Sequence, residues 1–235
     1  MFYFSEMMKI ILLFTLFTTT ILFGQNVSFT DINFKKAIIR SYPNVDADKD
    51  GEISYDEAKT LTVIRNLYNI PKITNTKGLE AFVNLRELDL KWHALTSIDI
   101  SSNTNLEILN IRENQLSGIL DLSALKKIYS LEVNFNQLTG ITFSPENNLH
   151  ILYANENNLS VIDLSTLKNL KRLFLVRNKI TKLDISQNTI LERLHIDDNE
   201  VKTLDFTNLN RLNWVSVNRN GLTGITFHNN PSLKT

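Results

Sequence analysis

The sequence predicts a strand-dominated solenoid of the α/β class, and three observations predict it. Seven stretches spell Leu-x-x-Leu-x-Leu-x-x-Asn-x-Leu, most clearly Leu106–Leu109–Ile111–Asn114–Leu116 and Leu170–Leu173–Leu175–Asn178–Ile180. The Asn places (His93, Asn114, Asn136, Asn157, Asn178, Asn199 and Asn220) follow one another at 21, 22, 21, 21, 21 and 21 residues. Within each copy the Leu and Ile positions alternate, the period of a strand buried on one face. A spacing that strict means stacked coils sharing one continuous core. A coil of 21 residues has no room for a strand, two turns and a full helix, so its outer wall is expected to be extended or irregular.

Composition agrees with a folded chain and narrows its partners. The 235 residues are 43% hydrophobic and 21% charged, ordinary for a packed core. Lys plus Arg and Asp plus Glu balance at 25 each, so no net field favours nucleic acid or an anionic membrane. There is no Cys, which removes disulfides, cysteine-ligated metals and cysteine nucleophiles together.

Residues 1–24 read as an export signal. Lys9 precedes an apolar run from Ile10 to Phe23 broken only by Thr, and Gly24 or Gln25 offers a cleavage edge. The run has 14 residues, enough for a signal core and short for a membrane span. Met8 is an alternative start, because Glu6 is out of place in a positive flank. No Cys follows the run, which excludes a lipoprotein anchor. The mature chain is expected outside the cytoplasm, secreted, extracellular or at the cell surface (the periplasm included), with no membrane span once the signal is removed.

Residues 25–84 have a different grain and are expected to form a small helical N-terminal cap. Thr30 or Asp31 can cap a short helix whose Phe34, Ala37 and Ile38 share one face, and Pro43 ends it. The loop 46–57 then reads Asp46-Ala-Asp48-Lys-Asp50-Gly51-Glu52-Ile53-Ser54-Tyr55-Asp56-Glu57. It matches the EF-hand pattern at positions one, three, five, six, eight and twelve. Calcium takes six to eight oxygens at about 2.3–2.6 Å. Asp46, Asp48 and Asp50 would supply side-chain oxygens, Glu52 its carbonyl, Ser54 a water, and Glu57 both carboxylate oxygens. A single loop beside a solenoid is expected to hold a structural Ca2+ with weak affinity, in the ~10⁻⁴–10⁻³ M range. Ile64, Leu67, Tyr68, Ile70 and Ile73 form a degenerate repeat leading through Gly78-Leu79-Glu80-Ala81-Phe82 into the regular ones. The segment would cover the raw apolar face that ends any such array.

The phrase Leu-x-x-Leu-x-Leu-x-x-Asn over residues 85–235 resembles the leucine-rich repeat. Its second half, as in Leu159-Ser-Val-Ile162-Asp163-Leu164-Ser165, is similar to the short repeats of secreted bacterial, internalin-like proteins. The segment from Val27 through Glu57 to Phe82 is similar to the region preceding such repeats. The resemblance implies a right-handed solenoid in which each repeat gives one strand to a parallel, concave sheet. The Asn at each corner is expected to bond backbone groups of its own and adjacent coils, and His93 marks an imperfect start to that ladder. Gly140-Ile-Thr-Phe143, Gly224-Ile-Thr-Phe227 and the extra residue near Gly118 read as outer-wall variation. Pro231-Ser-Leu233-Lys-Thr235 begins an eighth repeat, so the seven-repeat solenoid reads as C-terminally incomplete, part of a longer array.

On the expected concave sheet, one outward column reads Asp89, Asn110, Glu132, Tyr153, Phe174, His195 and Ser216. Flanking columns add Ile151, Arg172, Val176, Arg193, Trp214 and Asn218. Rings on successive strands lie about 4.8 Å apart, and aromatics rimmed by Arg are what interface hot spots are made of. Tyr153, Phe174, His195, Trp214, Arg172 and Arg193 are therefore the candidate ligand surface, for a protein or a glycan. His195 and Asp197 share a strand face without an evident third metal ligand, and they read as solvated surface. No Gly-x-Ser-x-Gly, phosphate loop or His-Glu-x-x-His occurs. The expectation is a non-enzymatic binding protein acting in protein recognition or adhesion. Carbohydrate binding, or a spacer role in a larger secreted protein, stand as alternatives.

Overall fold

The computed structural model describes residues 24–67 and 70–233. The signal segment before Gly24, and Tyr68 of the degenerate repeat, lie outside the described residues. The chain forms a parallel β-solenoid. One sheet has eight strands: β1 (Val63–Ile64), β2 (Glu87–Asp89), β3 (Ile108–Asn110), β5 (Ser130–Glu132), β7 (Ile151–Tyr153), β8 (Arg172–Phe174), β9 (Arg193–His195) and β11 (Trp214–Ser216). Each pairs in parallel with the next coil, and the central residues Leu88, Leu109, Leu131, Leu152, Leu173, Leu194 and Val215 are in register. The leucines among them are fully buried. The repeating Leu and Ile places thus fill one long core, which is why a three-residue strand suffices. Its stability comes from stacked apolar walls rather than from its own ladder.

Each coil turns one corner through a residue of positive φ: Trp92, Glu113, Phe135, Glu156, Arg177, Asp198 and Arg219, at +52° to +65°. The left-handed region costs an ordinary residue about 1–2 kcal/mol. The next residue offsets that cost. Asn178 accepts from the Leu159 amide at 3.0 Å and donates to the carbonyls of Ala154 and Leu175 at 2.9 and 3.1 Å. Asn114, Asn136, Asn157, Asn199 and Asn220 repeat the pattern. His93 offers only Nδ1, which accepts from the Ile73 amide at 3.4 Å.

A second ladder runs along the opposite turn. Asn103 and Asn188, fully buried, and Asn230 each donate to two carbonyls of the preceding coil, those of Leu79 and Phe82, Leu164 and Leu167, and Phe206 and Leu209. In four other coils that place holds Phe82, Leu125, Leu167 or Leu209, all buried, and in the coil between those of Leu125 and Leu167 it holds the exposed Glu146.

Part of the outer wall takes the extended form expected of it and goes further, pairing between coils. Gly140-Ile-Thr-Phe143 belongs to β6 (Gln137–Phe143), which pairs in parallel with β4 (Ser117–Leu122). Gly224-Ile-Thr belongs to β12 (Gly224–Thr226), paired with β10 (Thr203–Asp205). The register shifts between Gly118 and Ile119, the place of the extra residue, with Gly118 at φ +74°.

At the N-terminal end, α1 (Ile32–Ser41) buries Phe34, Ala37 and Ile38. Asp31 caps it, Oδ1 accepting from the Asn33 amide at 2.8 Å, while Oδ2 accepts from the Thr74 amide at 2.7 Å. One carboxylate therefore fixes both the helix start and its attachment to the coils. Burial would raise the Asp31 carboxyl, but the hydrogen bonds from Thr74, Asn33 and Asn75 hold it below the ordinary range. The extended stretch before the helix is a strap. Val27 donates to the Ile53 carbonyl at 2.8 Å, and the Phe29 ring packs edge-on to Phe34 and against Phe82.

Candidate functional site

Two places carry the sequence-derived site residues. The first is the loop 46–57, entered through a 3-10 turn (Pro43–Val45) and left through the one-turn helix α2 (Tyr55–Ala58). Ser54 caps α2 and Glu57 returns the bond to the Ser54 amide, a reciprocal capping box. Gly51, at φ +82°, makes the sharp bend. The loop amides turn inward: Asp50 and Gly51 donate to Asp46, and Glu52 donates to Asp50. Oxygens of Asp46, Asp48 and Asp50 lie within 4.8 Å of one another. Two oxygens on one calcium stand at most about 5.2 Å apart, twice the bond length, so the three carboxylates fit that ion. Glu57 reaches back over the loop, accepting from the Ala47 amide at 2.8 Å. Burial and the charges of Asp50, Glu57 and Asp46 push the Asp48 carboxyl up against a hydrogen bond from Asp50. The Glu52 side chain turns outward to Lys35 at 2.5 Å.

The second place is the open face of the eight-stranded sheet. The register puts Asp89, Asn110, Glu132, Tyr153, Phe174, His195 and Ser216 in one column, and Ile151, Arg172, Arg193 and Trp214 in the column beside it. Tyr153 and Phe174 have centroids 4.8 Å apart, and Phe174 meets His195 edge-on at 6.0 Å. Trp214 does not stay in its flanking column. It leans over to stack on Phe174 at 6.3 Å and meets His195 at 5.1 Å, closing a four-ring cluster with the indole 41% exposed.

Asp197 departs from the expected solvated surface. Its side chain is 13% exposed and accepts from Ser216 Oγ at 2.7 Å and the Asn218 amide at 2.8 Å, with His195 Nε2 at 3.1 Å. Burial would raise its carboxyl, but the bonds from Asn218, Ser216 and His195 prevail and hold it at about 2. The sequence reading missed Ser216 and Asn218 as its partners, although their place one coil on was available. Both Ser216 and His195 turn to the carboxylate, which is thereby shared between two coils. Asp197 is a clip between the last two strands of the sheet.

The other end of the face is self-neutralised. Lys91 pairs with Asp89 at 2.8 Å, Arg112 with Glu132 at 3.3 Å, Arg65 with Glu87 at 3.3 Å, and Arg86 with Glu107 at 2.6 Å.

Fold and face together define a leucine-rich repeat solenoid of about eight turns. No protein-family model matches the chain, and no curated protein matches it. Solved structures do. The functional domain of InlJ from Listeria monocytogenes superposes with TM-score 0.66 at 29% identity, covering 89% of this chain and 51% of that one. The chain thus spans about half the length of that domain. The LRIM1/APL1C complex gives TM-score 0.58 at 26% identity over 70% of this chain and 38% of that one. Internalin C2 of Listeria monocytogenes gives 0.61 at 23%, covering 85% and 90%. The neighbours are leucine-rich repeat proteins, a class used for binding and scaffolding. Among the described residues no helix is long and apolar enough to cross a membrane.

Proposed function

We propose that the chain is an exported recognition protein that binds another protein on the open sheet face, in adhesion or at a cell surface. The observation that carries this is the cluster of Tyr153, Phe174, His195 and Trp214. Rings gathered at a surface offer large rigid contact area at low entropic cost, the property of interface anchors. A solenoid stabilised by its inner walls does not need them there. InlJ supports a recognition role by overall likeness, and LRIM1 by having been solved in complex with APL1C. Export rests on the signal-like residues 1–24.

Calcium belongs to the same proposal, as a structural ion held by Asp46, Asp48, Asp50 and Glu57 with the Glu52 carbonyl. Bound there it would supply positive charge to a crowded carboxylate set and fasten α1, the loop and the strap together.

The near-parallel planes of Phe174 and Trp214, 25° apart, also suit a sugar ring, so a glycan is the second reading. The test is capture from surface extracts in calcium by the chain and by a Tyr153→Ala, Phe174→Ala, Trp214→Ala variant with unchanged circular dichroism. A protein held by the parent and lost by the variant supports the proposal. Competition by soluble sugar would move it to the glycan. Equal capture by both would remove the face and favour a spacer.

A further inference from the structure

Among the described residues, two cations of the open face are left aside by its carboxylates. Arg172 and Arg193 are register partners on β8 and β9, on strands about 4.8 Å apart. Like charges placed side by side on a sheet destabilise it. Elsewhere on this face basic side chains have found acids: Lys91, Arg112, Arg65 and Arg86 each pair with a carboxylate. Among the described residues neither Arg172 nor Arg193 has a carboxylate within ion-pair distance. Asp197, an acid further along the same face, is taken up by Ser216, Asn218 and His195. Arg172 is half-buried and Arg193 exposed, so both guanidinium groups are within reach of a partner.

Their position fixes more than a sign. Arg172 and Phe174 lie two residues apart on one strand, as do Arg193 and His195, with Trp214 next to Arg193 in register. Two residues of strand span about 6.6 Å. An extended peptide spaces its same-side groups by that distance too. From this charge complementarity and spacing, and resting on the reading of this face as a recognition surface, we infer that the occupant is an extended acidic protein segment. It presents Asp or Glu to the Arg172–Arg193 pair and, two residues away, an aromatic or large apolar side chain to the rings. The guanidinium fork takes a carboxylate through two parallel bonds, and a second guanidinium alongside makes the same carboxylate relieve a repulsion already present in the free protein.

The experiment uses the full chain and two synthetic pools of short peptides. One carries Asp or Glu two residues before Phe, Tyr or Trp, and the other carries Asn or Gln at the acidic place. Sialyllactose is the third probe. The acidic pool should be retained, weaken as salt rises, and weaken at least about tenfold on Arg172→Gln, Arg193→Gln, the loss of charge-assisted bonds. Retention of the amide pool equal to the acidic one, undiminished by the Arg variant but abolished by the Tyr153, Phe174, Trp214 variant, would overturn the acidic assignment and leave the recognition face standing. Binding indifferent to both variants would overturn both. No retention of either pool would overturn the peptide inference, as would retention of sialyllactose alone, which would assign the arginines to an acidic sugar.

Discussion

Asn178 Oδ1 accepts the amide of Leu159, a residue of the preceding coil, at 3.0 Å. The bond joins successive coils at the corner where backbone φ is positive. With the three carbonyls that Asn178 also serves, it makes the side chain a substitute for water that cannot enter the turn. Replacement by Ala would strand a buried amide and several carbonyls at about 1–3 kcal/mol apiece. Asn178→Ala is therefore expected to lose at least about 3 kcal/mol in urea unfolding, against a small effect for the exposed neighbour Lys179→Ala. Equal midpoints for the two would mean that the coils are held by apolar packing alone.

His93 replaces that Asn in the first copy and makes the ladder sensitive to acid. Burial, followed by the charge of Lys72, lowers its imidazole from 6.5 to about 4 in the folded chain. The unfolded chain thus binds more protons between those values, so this contribution is full above pH 6.5 and is lost as pH falls through 6.5 towards 4. The shift is worth about 3 kcal/mol. His93→Asn should lose less stability than the parent over that window, in parallel melts at pH 7 and about pH 4.5. Parallel pH curves for the two proteins would show that His93 is not the sensitive group.

Calcium should be visible as stability. At an affinity of about 10⁻⁴ M, calcium tenfold above that would add about 1.4 kcal/mol. The melting temperature should rise with calcium, return with a chelator, and cease to respond in Asp48→Asn, Glu57→Gln. A response that survives in the variant would place the ion elsewhere.

Gly78 stands at φ +105°, and a Cβ there would lie 2.7 Å from the Phe29 ring. Gly78→Ala is expected to cost about 2 kcal/mol or more, through backbone strain and collision together. Adding Phe29→Ala should return part of that loss. Strict additivity of the two changes in chemical denaturation would show that the strap does not rest on Gly78.

The period of the corner Asn residues made the solenoid readable, because each coil must present the same groups to the same neighbours. For the same reason the columns containing Tyr153, Phe174 and Arg172 were readable in register. What escaped depends on side-chain direction or on partners in another coil. Trp214 was placed on its column, but its lean over Phe174 and His195 is a choice of side-chain direction that the register does not record. The pairing of residues 117–122 with 137–143 rests on two outer walls agreeing with each other, and no single copy records it. Asn103 and Asn188 were hidden because Leu125, Leu167 and Leu209 fill their place in alternate coils.

From Leu167 onward that alternation gives the array a parity. Each of Asn103, Asn188 and Asn230 serves carbonyls in a coil whose own equivalent is apolar. Excising one coil would bring Leu167 against Leu209 and leave the carbonyls of Leu164 and Leu167 without their donor. Excising two would restore the original neighbours. From Leu167 onward, therefore, coils can be added or removed cleanly only in doublets, and the unit of insertion there is twice the length that the most visible motif announces.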